Sequence, residues 1–116
     1  MRDLAIQAAG GIAILTAIVH GVLGETKIFA KAHIEPAWIK LMLRLIWQCG
    51  TVAWVGFGVL LVAAPHMGSD VARLWIAGAA IGTYSVAAVS NAWVTRGRQV
   101  GWVAMTVASA LALVGA

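Results

Sequence analysis

Arg44-Leu45-Ile46-Trp47-Gln48-Cys49-Gly50-Thr51-Val52-Ala53-Trp54 places a guanidinium, an amide and a hydroxyl inside a run that is otherwise compatible with hydrocarbon. At helical spacing Arg44, Gln48 and Thr51 share one face, with Trp47 beside them, because residues three and four apart are neighbours on a helix. Such groups are costly against lipid. They must point at other protein, at water or at headgroups, and inside a membrane helix they mark the first place to look for function. The stretch therefore reads as the inward face of a membrane-spanning helix, and that face needs a partner.

Composition supports a membrane setting. The chain has 116 residues, of which 62% are hydrophobic and only 10% charged, and its mean hydropathy is +0.93. An ordinary soluble domain carries roughly 25% charged residues. The formal charge of +4 does not indicate nucleic acid, because the eight Lys and Arg are scattered among apolar runs, where lipid headgroups are their partners. The single cysteine, Cys49, cannot form an intramolecular disulfide and reads as a small apolar filler within a span. The first apolar run is longer than the roughly 7 to 15 residues of a signal-peptide core, so it reads as a retained span.

Crossing about 30 Å of hydrocarbon takes roughly 20 mainly apolar residues. Residues 4–23, 41–64, 71–94 and 100–116 qualify, the last being the shortest, and no residues remain for a domain outside the membrane. The predicted fold is all-α: one integral membrane bundle of four transmembrane helices over residues 1–116. Small residues form stripes suited to close helix packing, at Ala5, Ala9, Ala13, Ala17 and Gly21, at Gly78 and Gly82, and at Ala104, Ala108 and Ala112. Residues 25–40 alternate apolar side chains with Lys27, Lys31 and Glu35, which predicts a segment lying in the headgroup region. Pro36 there ends a helix or starts the second span.

The basic residues orient the bundle. Six of them, Lys27, Lys31, Lys40, Arg44, Arg96 and Arg98, flank the first and third connections, whereas Arg2 and Arg73 are the only two on the other side. Positive-inside bias puts the first group in the cytoplasm. Both termini are then expected in the periplasm of a cell inner membrane.

His20 and Glu25 close the first span, and antiparallel packing brings them to the depth of Gln48 and Arg44. The expected contacts are a His20–Gln48 hydrogen bond and, nearer the water, a Glu25–Arg44 pair. The candidate site is His20, Glu25, Arg44, Trp47, Gln48 and Thr51, joined by Asn91, which shares a face of the third span with Thr83 and Ala87. Its role is either a polar clamp or ligand binding. His20, His33 and His66 lie at separate depths without the spacing of a ligand pair, so no metal site is expected. No nucleophile with an adjacent base, Gly-rich phosphate loop or paired carboxylates is present, so no catalytic residue is assigned. The expected function is an interaction or accessory subunit that packs with itself or with a larger membrane complex. The alternatives are a binder of quinone, haem or lipid at the polar cluster, and a small dimeric transporter.

Four spans in so short a chain resemble the small multidrug resistance transporters in size, but those work around a carboxylate in the middle of the first span, and here Glu25 stands at its end. His20-Gly21-Val22-Leu23-Gly24-Glu25 together with the Arg44–Trp54 stretch is more similar to short bacterial four-span proteins of unassigned function. These carry a histidine followed by LGE in span one and R-x-x-W-H-x-x-T-x-A-W in span two. The resemblance covers the first half of the chain and implies a membrane bundle without implying an activity. The chain departs from the pattern at Gln48, where the pattern has histidine, and so loses the second imidazole of any two-histidine haem or metal site.

Overall fold

The computed structural model describes residues 1–116 and contains helices and turns only. Helix α1 (Arg2–Leu23) runs without a break through a π-helical turn (Gly24–Ile28) into the short α2 (Phe29–Lys31). Pro36, in extended backbone, caps the start of α3 (Ala37–Ala63), which ends in a 3-10 turn (Ala64–His66). Ser69 opens α4 (Asp70–Thr95) by accepting the Ala72 amide on its hydroxyl at 3.1 Å. The helix stops where Arg96 (φ 54°) and Gly97 (φ 76°) turn left-handed, and α5 (Gly101–Gly115) follows.

The headgroup segment predicted for residues 25–40 differs from this arrangement. Gly24–Lys31 prolongs the first helix because no breaker precedes Ala32, and Ala37 to Lys40 form the first turn of α3. Only residues 32–36 are left outside a helix. Three helical rods, Arg2–Lys31, Ala37–His66 and Asp70–Thr95, are long and apolar enough to cross a membrane. With 15 residues, α5 is apolar but only about 22 Å long at 1.5 Å per residue.

The four long helices form a ring in the order α1, α3, α4, α5, each antiparallel to its neighbours. Small side chains let them approach. Ala9, Ala13, Ala17, Ala77, Ala80, Ala108 and Ala112 are fully buried around Ile6, Leu61, Tyr84 and Met105. At the α1–α3 crossing a Cβ on Gly58 would lie 2.6 Å from Ile14 Cγ1 and 2.9 Å from the Gly10 carbonyl oxygen, so backbone meets backbone. Gly78 and Gly82 behave differently: both face outward, with nothing within 4 Å of an added Cβ. Cys49 is likewise exposed and fills no core position.

Charge divides between the two ends. The end formed by the α1–α3 and α4–α5 connections carries Lys27, Lys31, Lys40, Arg44, Arg96 and Arg98 against Glu25 and Glu35. The other carries Arg2 and Arg73 against Asp3 and Asp70, so the whole formal charge of +4 belongs to the first. Arg73 is not a residue of the connection: it sits in the first turn of α4, 8% exposed. Its Nε donates to the Gly115 carbonyl at 2.6 Å and its Nη1 to Asp3 Oδ1 at 2.6 Å, while Nη2 is buried without a partner. Arg2 donates to the Ala116 carbonyl at 2.5 Å.

Candidate functional site

The last turn of α1 is where α3 fastens. The His20 and Gly21 carbonyls already accept from the Gly24 amide, and each has a second lone pair to offer. Two side chains of α3 donate to these carbonyls: Trp47 Nε1 to His20 O at 2.8 Å and Gln48 Nε2 to Gly21 O at 3.0 Å. The glycines of the HGVLGE segment permit this approach. A Cβ on Gly24 would collide with the Trp47 indole, and one on Gly21 would come within 3.0 Å of Thr51 Cγ2.

His20 returns the contact. Its Nε2 lies 3.2 Å from the Trp47 carbonyl. A carbonyl only accepts, so Nε2 carries the proton and Nδ1 is the acceptor of the neutral ring. Nδ1 makes no hydrogen bond within the protein. The imidazole stacks on Trp47 at 4.0 Å between centroids, 3° from parallel, and meets Trp54 at 4.3 Å with a 45° tilt.

The expected His20–Gln48 hydrogen bond does not form. Gln48 spends both amide protons elsewhere, on the Gly21 carbonyl and on Glu25 Oε1 at 3.0 Å, and the Trp47 indole occupies the space beside the imidazole. Glu25 and Arg44 do pair: Arg44 Nε and Nη2 reach Glu25 Oε2 at 2.7 and 2.5 Å. With side chains 50% and 38% exposed, this pair fixes geometry more than it stabilises. Thr51 donates to the Trp47 carbonyl at 3.4 Å within its own helix. Arg44, Gln48, Trp47 and Glu25 thus satisfy one another and the end of α1. They form a clamp.

Asn91 stands apart from that clamp. Its backbone carbonyl accepts from the Thr95 hydroxyl at 2.7 Å, while its side-chain Oδ1 is buried without a partner. It lines a cleft of about 480 Å³ whose walls also include His20, Trp47, Trp54, Ala87 and Met105. Gly115 packs against Ile6 and the Arg2 carbonyl at one end of the bundle. The cleft lies toward the other, beside the start of α5, where Gly101 lines it together with Leu23, Ile28, Thr95 and Gln99.

Two features of the site escaped sequence reasoning. Trp54 belongs to the His20 wall, which its seven-residue spacing from Trp47, two helical turns, was enough to suggest. Tyr84 donates its hydroxyl to the Trp54 carbonyl at 3.0 Å, across α4 and α3, and no pattern in the sequence pointed to that. The three histidines stay apart: His66 Nε2 lies 3.4 Å from Gln7 Nε2 at the far end, and no group of three or more His, Cys, Asp or Glu side chains converges. No family model, curated protein or solved structure matches the chain.

Proposed function

We propose that the chain is a small polytopic membrane protein without catalytic machinery that holds a lipid-soluble guest in the cleft beside the start of α5. One observation carries this reading: about 480 Å³ of largely apolar space opens between the helices, walled by Leu23, Ile28, Trp47, Trp54 and Met105. Ligand sites of this size are typically apolar with a few convergent polar groups. His20 and Asn91 are among the polar residues on its walls. Haem fits less well, because the imidazole lies flat against Trp47, its Nε2 is committed to a carbonyl, and Gln48 stands where a second imidazole is needed. A quinol or a lipid fits the apolar volume and the indole wall.

Purification in mild detergent followed by organic extraction tests the proposal. The wild type is expected to carry a stoichiometric lipid or quinone, and Ala87→Phe, which fills the cleft, is expected to lose it while keeping its helix content. Equal yields from both proteins would sink the reading. The compartment in this reading is a bacterial inner membrane with both termini periplasmic. The charge division supports it, since the basic end of a membrane protein stays cytoplasmic.

A second reading is an accessory subunit that packs with itself or with a larger membrane complex, and the outward-facing Gly78 and Gly82 favour it. A GxxxG pair with open space around it suits close approach by another helix. Changing both glycines to isoleucine is expected to abolish any dimer seen by light scattering in mild detergent, while shifting monomer stability by no more than about 0.5 kcal/mol per site, as for other surface positions. An unchanged mass would exclude this face.

A further inference from the structure

The mouth of the cleft is not neutral. Its rim residues Val94, Thr95 and Gln99 also line a second, shallower space of about 490 Å³, whose remaining walls are Arg96 and Arg98, so the two spaces share a rim. Neither guanidinium has a protein partner: the only ion pairs are Arg44–Glu25 and Arg73–Asp3. Arg96 also occupies left-handed backbone, φ 54°, where a residue with a Cβ costs roughly 1–2 kcal/mol that glycine would not. Two unpaired arginines thus stand beside one edge of a cleft whose walls include Trp54, Ala87 and Met105. The Thr95 hydroxyl between them is already committed, donating to the Asn91 carbonyl at 2.7 Å and accepting from the Gln99 amide at 3.4 Å.

We infer that the guest is an anionic amphiphile, with a phosphate or carboxylate head on Arg96 and Arg98 and its hydrocarbon along the apolar walls of the cleft. This rests on the cleft reading proposed above and adds the chemical class of the guest. Arginine is suited to the head because its planar fork donates two parallel charge-assisted hydrogen bonds to such oxyanions. A zwitterionic head of the same chain length places its own cation against the same guanidiniums and gains less.

The test compares retention of lysophosphatidic acid and lysophosphatidylcholine of equal chain length by the full chain in non-ionic detergent, read by native mass spectrometry. The wild type is expected to favour the anionic lipid about tenfold, the size of one charge-assisted hydrogen bond. In Arg96→Gln/Arg98→Gln that ratio is expected to fall close to one while lysophosphatidylcholine retention is unchanged. In Ala87→Phe both lipids are expected to be lost, with circular dichroism confirming the helices. A wild-type ratio near one, or a ratio unaffected by the double substitution, overturns the head-group assignment but leaves the cleft reading standing. Retention of both lipids by folded Ala87→Phe overturns both. Displacement of the lipid by millimolar inorganic phosphate would mark an anion site only, and would also overturn the assignment.

Discussion

Gly58→Val is expected to lower the stability of the bundle by about 3 kcal/mol, near the upper end of what overpacking normally costs. Even a single added carbon would stand 2.6 Å from Ile14 Cγ1 and 2.9 Å from the Gly10 carbonyl oxygen. A side-chain tip can rotate away from such a contact; a backbone carbonyl moves only if its helix does. The α1–α3 crossing must therefore widen, and the clamp of Trp47 and Gln48 on the end of α1 is held by that same crossing. Gly56→Val, two residues away on the same helix with nothing within 4 Å of the new carbon, is the matched comparison and is expected to cost no more than about 0.5 kcal/mol. Thermal unfolding of both variants in one detergent decides the matter. Equal shifts would mean that the crossing has slack the structure does not contain.

Removing the Arg73 guanidinium is expected to have the second-largest effect, and a local signature. Arg73→Leu leaves the Gly115 carbonyl without its 2.6 Å donor in a setting closed to water. An orphaned buried acceptor costs about 1–3 kcal/mol. Asp3 loses its partner too, but it is 66% exposed and water replaces the contact, so Asp3→Asn is expected to be far milder than Arg73→Leu. Hydrogen exchange should accelerate over the last turn of α5 in Arg73→Leu and hardly at all in Asp3→Asn. The same acceleration in both would assign the effect to the ion pair and leave the carbonyl contact without a role.

What could be read from the sequence follows a simple division. Periodicity and hydropathy were enough for an all-helical bundle, because spans of this length leave few other ways to satisfy the backbone in lipid. Antiparallel depth was enough for Glu25 with Arg44, since two opposite charges at one level of a hairpin have short side-chain paths to each other. The same depth argument failed for His20 with Gln48. Depth says which groups are level; it does not say which competitor is nearer, and Gln48 found a backbone carbonyl and a carboxylate first. Arg73 with Asp3 was equally open to the depth argument, but the sequence reading used Arg73 only to orient the bundle. Small-residue stripes were visible, yet composition does not show which side of a helix is inward: Ala9, Ala13 and Ala17 are buried whereas Gly78 and Gly82 are not. The cleft was the least legible feature, because it depends on where four helices fail to meet, which the pattern of no single helix shows.

The division of charge described above also makes the bundle an electric dipole along its own axis. The end with the α1–α3 and α4–α5 connections carries the whole formal charge of +4 and the other carries none, and the bundle is 49 Å long. That length exceeds the screening distance of about 8 Å at physiological ionic strength, so the two ends act on their surroundings independently. Copies lying the same way up in a membrane therefore repel one another at the basic end and are indifferent at the other, and added salt relaxes that bias.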